Sequence, residues 1–123
     1  MSEYIPNPMD WVADQVELYE SSGGTEGLSL RDTRLPCIIV TNTGWKTGAI
    51  RKTPLMRVVD GENYILVASW AGAAKHPLWY HNLKAEPNVE IRDETKVFSA
   101  RVTEVEDPAE RQRLWDIAVT AYD

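Results

Sequence analysis

The chain has 123 residues, of which 43% are hydrophobic and 26% are charged; this composition predicts one ordinary globular domain and excludes collagen-like and disordered classes. The net charge of -6 argues against nucleic acid as a partner. Apolar runs of at most five residues exclude a transmembrane helix, and the single cysteine, Cys37, excludes an internal disulfide and fits a reducing, cytoplasmic setting.

The first half of the chain predicts one helix followed by three strands. Apolar residues at helical spacing after Asp10, a possible N-cap, predict an amphipathic helix over residues 10–22. A short apolar run predicts a buried strand over residues 35–43, and further strands follow at 51–59 and 64–69. Because Pro54 cannot donate a ladder hydrogen bond, the second strand should lie at an edge or carry a bulge. We expect a meander of antiparallel hairpins here.

The second half predicts a short helix, two strands and a capped terminal helix. Pro77 suits the first position of a helix over residues 76–84, and strands follow at 88–92 and 96–106. Asp107 and Pro108, with Glu110 behind them, form a strong helix start. Five strands with short helices and no repeated βαβ unit predict a mainly β, α+β fold, in which an antiparallel sheet closes into a small barrel.

A basic, glycine-bracketed turn follows the first strand. Bases exceed acids by five between Arg31 and Arg57, whereas the rest of the chain is acidic. Gly44 and Gly48 enclose a Lys-Thr tip, and glycines of this kind let backbone N–H groups converge on a phosphate. A small anionic ligand is therefore one hypothesis for residues 44–52, and an ordinary polar hairpin tip is the other.

A second unusual segment, residues 68–74, begins at a predicted strand end and consists mostly of alanine and glycine. The backbone of such small residues can lie flat against a planar ring. The alternative is a flexible connection. Other chemistry finds little support: Cys37 lies in the most apolar strand and is predicted to be a core residue, while His76 and His81 lack the spacing of metal ligands. If the protein is an enzyme, a cofactor should supply the chemistry.

These segments recur in one order that resembles a known family. The residues are Thr43-Gly44-x-Lys46-Thr47-Gly48, Ala68-Ser69-x-x-Gly72-Ala73, His76-Pro77-x-Trp79-Tyr80 and Pro87-x-Val89. They resemble the deazaflavin-dependent nitroreductase and quinone reductase family of actinobacteria over about residues 35–122. The resemblance implies coenzyme F420 (8-hydroxy-5-deazaflavin) and one split β-barrel domain over residues 1–123, of the flavin-reductase-like or FMN-binding-like type. It also implies a cytoplasmic protein that can touch the inner face of the cell membrane.

The resemblance assigns roles by position. The residues that would hold the phosphate and acidic tail of F420 are Lys46, Thr47, Gly48, Arg51 and Lys52. Those that would border the ring or shape its pocket are Pro54, Ala68, Ser69, Trp70, Ala71, Gly72, Ala73, Ala74, Trp79 and Asn82. Ser69 and Tyr122 would be catalytic, because Ser69 could polarise the acceptor oxygen and Tyr122 could return a proton. The reaction implied is hydride transfer to a flat quinone, enone or nitroaromatic acceptor.

Two departures from the family pattern refine this expectation. Trp70 stands where the nitroreductase has a lysine, which favours quinones and enones over bicyclic nitroimidazoles. The terminal helix is still amphipathic at Tyr122 where relatives continue, so we expect the natural chain to continue past Asp123 to a closing strand. Two alternatives stay open: an FMN-dependent oxidoreductase of the same fold, and a non-catalytic deazaflavin carrier.

Overall fold

The computed structural model describes residues 3–30, 34–68 and 77–122. Three helices and six strands occur in these ranges. In chain order they are α1 (Asp10–Ser21), β1 (Cys37–Thr43), β2 (Ile50–Met56), β3 (Val59–Asp60), β4 (Asn63–Tyr64), α2 (Leu78–Ala85), β5 (Asn88–Asp93), β6 (Lys96–Arg101) and α3 (Pro108–Tyr122). None of the helices in the described ranges is long and apolar enough to span a membrane.

The main sheet has four antiparallel strands in the order β2-β1-β5-β6, and β3 pairs with β4 in a separate hairpin. β2 is therefore an edge strand, as the position of Pro54 predicts. The N-terminal segment runs along this edge, where the N–H of Ile5 donates to the oxygen of Ile50 at 3.0 Å and the N–H of Ile50 donates to that of Glu3 at 2.8 Å. This pairing covers strand groups that would otherwise be open to another chain.

β1 supplies side chains to two cores, because alternate residues of a strand point to opposite faces of the sheet. Cys37 and Ile39 pack against α1, in a cluster with Val16 and Tyr19. Ile38 and Val40 face the other way and pack with Leu83, Val89 and Ile91, from α2 and β5. This double burial explains why the strand is apolar without alternation.

The strand predictions need three corrections. The predicted third strand over residues 64–69 is only the two-residue β4, and the strand predicted to end at residue 106 ends at Arg101. The second neighbour of β1 is β5, so a simple meander was wrong. No closed barrel forms within the described residues. Local propensity identifies a strand, but its length and partners depend on what packs across it.

The helix starts were predicted to within two residues. Met9, not Asp10, caps α1, and its N–H donates to the Asn7 side chain at 2.8 Å. Pro77 lies at the N-cap of α2 rather than at its first helical position. The cap predicted for α3 is confirmed, since the Glu110 N–H donates to Asp107 Oδ2 at 2.9 Å.

Candidate functional site

The turn between β1 and β2, here called the glycine loop (residues 44–48), closes on itself. The Gly44 N–H donates to the oxygen of Ala49 at 2.7 Å, and the Gly48 N–H donates to that of Gly44 at 2.8 Å. Gly48 has a φ of 72°, which favours glycine. A Cβ on Gly44 would lie 3.2 Å from Thr47 Oγ1, so the Thr47 side chain would have to shift by a few tenths of an ångström. The positive φ at Gly48 is thus the stricter requirement for glycine in this loop.

The tip of the glycine loop presents donors to solvent. Among the described residues, none accepts a hydrogen bond from the backbone N–H groups of Lys46 and Thr47. The Lys46 ammonium lies 5.0 Å from the centroid of the exposed Trp45 ring. Adjacent N–H groups beside an ammonium make an anion-binding donor set, so these residues fit the phosphate of the implied cofactor.

Two buried asparagines hold the glycine loop against the sheet. Asn82 Oδ1 accepts the Trp45 N–H at 3.0 Å, and Asn82 Nδ2 donates to Asn42 Oδ1 at 2.9 Å. Asn42 Nδ2 donates in turn to the Val40 oxygen at 3.0 Å and to Thr53 Oγ1 at 3.3 Å. Asn82, predicted as a pocket residue, thus fixes the loop. The sequence analysis did not identify Asn42 as a residue that supports the loop. Its signal in the sequence is a polar amide within an apolar strand, directly before the loop.

The basic residues after the loop point away from it. Arg51 Nη1 donates to the backbone oxygens of Ile5 and Pro6, at 3.1 and 3.3 Å. Lys52 lies on the α1 face of the sheet, where its ammonium is 2.5 Å from a carboxylate oxygen of Glu20. Because Lys52 is paired with Glu20, we leave it out of the anion-binding set. Arg51 uses its Nη1 to hold the N-terminal segment.

Arg57 belongs to a cluster that the sequence did not indicate, at the opposite end of the sheet from the glycine loop. Its Nε donates to both carboxylate oxygens of the buried Asp93, at 3.0 and 2.9 Å, and the Tyr64 hydroxyl donates to the same group at 2.5 Å. Burial, and then this hydrogen bond, raise the pKa of Tyr64. The cluster ties β2, β4 and β5 together, so the basic segment of the sequence is not one basic surface.

The residues predicted to border the ring are only partly described. Ser69, Trp70, Ala71, Gly72, Ala73 and Ala74 lie outside the described residues. Pro54 is buried opposite Ile39, on the α1 face, and Trp79 packs beside the core of the α2 face. Tyr122 ends α3.

A cavity of about 790 Å³ opens between α2 and α3, on the face of the sheet opposite α1. Its lining comes from four stretches of the chain: residues 60–68, 80–91, 98–106 and 110–118. Ala68 is part of this lining, so the cavity reaches the start of the small-residue segment. No sequence motif predicts this cavity, because the residues that line it are far apart in the chain.

Cys37 lies in the core, as its apolar strand predicts. Cys37 is 2% exposed, and burial raises the pKa of its thiol to about 11, so the nucleophilic thiolate is scarce at neutral pH. His81 is exposed and stacks near Trp45 at 6.1 Å between ring centroids. Within the ranges that the structure describes, no three potential ligands gather in a metal-binding cluster.

Comparison with known proteins identifies a family and several relatives. The family model described as F420H(2)-dependent quinone reductase matches residues 11–123. An F420H(2)-dependent quinone reductase of Mycobacterium tuberculosis is 43% identical over 84 residues, which cover 67% of this chain and 56% of the relative. The chain thus spans little more than half the length of that relative.

Solved structures agree with this match. One described as an F420-H2 dependent reductase has a TM-score of 0.64 at 45% identity, over 71% of this chain and 76% of its own. Another, described as a domain-swapped dimer, has a TM-score of 0.66 at 41% identity, over 94% of this chain and 85% of its own.

Proposed function

The chain belongs to the F420H(2)-dependent quinone reductase family, and from this membership we propose that it reduces a quinone with reduced coenzyme F420. The observation that carries the proposal is the donor set of the glycine loop. Lys46 and Thr47 are exposed there, and among the described residues nothing accepts a hydrogen bond from their backbone N–H groups. An acidic protein that exposes such a set on one tight loop is suited to a small anionic cofactor.

The residues of this chain bind and orient, and bound reduced F420 supplies the hydride. The phosphate would bind at Lys46, Thr47 and Gly48, on a loop that Asn82 fixes through the Trp45 N–H. Rigid support matters, because a donor that is already in position costs no reorganisation when the charged group arrives. Ser69 would donate to the acceptor oxygen and Tyr122 would return the proton.

Two finer features belong to the same proposal. Enones and nitroaromatics would be further acceptors, with Trp70 favouring flat apolar ones by stacking. The four-stranded sheet and the β3-β4 hairpin would be parts of a split β-barrel. Both features rest on the family resemblance.

A fluorescence titration with oxidised F420 and with FMN tests the cofactor. We expect F420 to bind and Lys46→Ala to weaken its binding, while Lys96→Ala, an exposed lysine on β6, serves as the matched control. Preference for FMN would replace the proposal with the FMN enzyme. Tight F420 binding without turnover of any quinone would identify a carrier.

Assembly as a dimer is a separate proposal. α3 buries one side chain fully among its described residues, Ala118, and leaves Trp115 and Val119 about half exposed on the same helix. A similar protein is a domain-swapped dimer, and a loosely packed terminal helix is the kind of element that such dimers exchange. Sedimentation of the wild type should give twice the mass of one chain, and Val119→Lys should shift it towards monomer. A monomeric wild type would overturn this proposal.

A further inference from the structure

Two exposed rings lie side by side next to the tip of the glycine loop, one on the loop and one on α2. The centroids of the Trp45 and His81 rings are 6.1 Å apart, and the Lys46 ammonium lies 5.0 Å from the centroid of the Trp45 ring. Trp45 is 48% exposed, and Lys46 and His81 are exposed as well. These three residues form one surface, here called the Trp45–His81 patch.

The two elements that carry this patch are bonded directly to each other. Asn82 follows His81 in α2, and its side chain accepts the Trp45 N–H at 3.0 Å. The same side chain is buried and donates to Asn42 Oδ1 at 2.9 Å. The backbone of residue 45 therefore has a fixed position relative to the helix that carries His81. Binding groups on such a support lose little conformational freedom when a ligand binds.

Among the residues that the structure describes, the side chains of the patch donate to no acceptor. The Lys46 ammonium has no carboxylate partner there, and the Trp45 indole N–H and the His81 imidazole make no hydrogen bond. By contrast, Lys84 on the same helix as His81 is 3.2 Å from Glu104. An imidazole donates from a ring N–H and carries a positive charge when it is protonated. Three neighbouring donors with no carboxylate beside them favour an anionic ligand.

The implied cofactor carries two kinds of anion, a phosphate and an acidic tail. The backbone N–H groups of the glycine loop fit the phosphate, but the cations that follow the loop in the sequence are engaged elsewhere. Arg51 donates to two backbone oxygens of the N-terminal segment, and Lys52 is paired with Glu20. The tail therefore needs further donors near the loop tip, and the Trp45–His81 patch lies there.

We propose that the Trp45–His81 patch binds a carboxylate of the acidic tail of F420, and that His81 distinguishes F420 from a deazaflavin that ends at its phosphate. The inference rests on the proposed function, because it names a further contact with the same cofactor. A hydrogen bond to a charged group contributes enough to change affinity about tenfold. The contact should therefore appear as a preference of that size for the cofactor with its tail.

The test is a fluorescence titration with two ligands, oxidised F420 and the phosphate ester of the same deazaflavin, which has no tail. We expect His81→Leu to weaken F420 binding about tenfold and to leave binding of the ester within about twofold of wild type. Leucine is a good helix former, so the exposed position should tolerate it. His81→Lys keeps a donor and a charge, and it should keep the preference for F420. Lys96→Leu, an exposed lysine at the opposite end of the sheet, is the matched control and should change neither affinity.

The outcomes separate this inference from the proposed function. If His81→Leu loses the preference but the wild type reduces no quinone, the proposed function fails and the tail contact stands. If the wild type reduces a quinone with reduced F420 but binds both ligands equally, the inference is overturned and the proposed function stands. Equal weakening of both ligands in His81→Leu, or loss of the preference in His81→Lys, would also overturn the inference. No binding of F420 by the wild type would overturn both.

Discussion

The glycine loop and the cavity are opposite kinds of site within one small domain. The loop consists of five consecutive residues and is closed by backbone hydrogen bonds of 2.7 and 2.8 Å. It exposes hydrogen-bond donors that can bind an anion. The walls of the cavity come from four distant stretches of the chain, and they combine apolar side chains with charged ones, of which some are paired. Recognition of an anion can be local, because a few N–H groups suffice, whereas an apolar enclosure needs several elements.

The two sites also depend differently on the rest of the fold. The loop is attached to the sheet through Asn82 and Asn42, whose side chains are 4% and 3% exposed. The cavity depends on the position of α3, which buries Ala118 and, among the described residues, is joined to the β3-β4 hairpin by the Arg113–Asp60 ion pair. Changes in α3 should therefore affect the cavity and spare the loop, and four predictions test this division.

The largest expected effect comes from Asn82→Leu. It leaves the Trp45 N–H and the Asn42 amide without their buried partner, and each unsatisfied group costs about 1 to 3 kcal/mol. We expect a loss of about 3 kcal/mol in the free energy of unfolding, measured with urea, together with weaker F420 binding. Asn88→Ala, an exposed amide on β5, is the control. Stability like that of the control would show that the loop needs no support from α2.

The second effect concerns Cys37, on the face away from both sites. Burial raises the pKa of its thiol from 9.0 to about 11, so the stability that the protonated thiol contributes is complete below pH 9 and is lost as the pH rises through 11. Cys37→Ser should be modestly destabilised at neutral pH with turnover intact, and its deficit should shrink by about 2 kcal/mol between pH 9 and 11. The pKa of Tyr19 is raised by burial and also by the charge of Cys37, so the difference between the two proteins reports the thiol together with its coupling to Tyr19. A deficit that is constant with pH would contradict the burial argument.

Lys46→Ala should affect the loop alone. A charge-assisted hydrogen bond contributes about 1.5 to 3 kcal/mol, so F420 affinity should fall about tenfold or more, and the affinity of the wild type should fall with added salt. The free energy of unfolding should be unchanged, because the Lys46 side chain is exposed. A loss of stability as large as that of Asn82→Leu would mean that Lys46 supports the fold instead of binding the cofactor.

The smallest effect is expected for Arg113→Ala, which removes the ion pair to Asp60 at the mouth of the cavity. Exposed pairs contribute little to stability, so thermal unfolding should hardly change. F420 affinity should also stay constant, because Arg113 lines the cavity and not the glycine loop. A loss of F420 binding as large as that of Lys46→Ala would show that α3 and the glycine loop are not independent.

The sequence by itself determined the features that depend on near neighbours. Apolar spacing predicted α1 and β1, the Asp107 cap predicted the start of α3, and Pro54 predicted an edge strand. Cys37 was correctly predicted as a core residue from its apolar strand, and the family followed from short motifs in a fixed order. Such signals are local, because caps, strand propensity and helical periodicity act over a few residues.

Only the tertiary structure decided which residues act together. It separated the basic segment into Lys46 at the loop, Lys52 paired with Glu20 and Arg57 bound to Asp93. In the tertiary structure β5 pairs with β1, where the sequence predicted a simple meander. The cavity also forms only when distant stretches of the chain pack together. Strand order and side-chain partners depend on contacts between residues far apart in the chain. Those contacts depend on the packing of the whole domain, which no short stretch of sequence encodes.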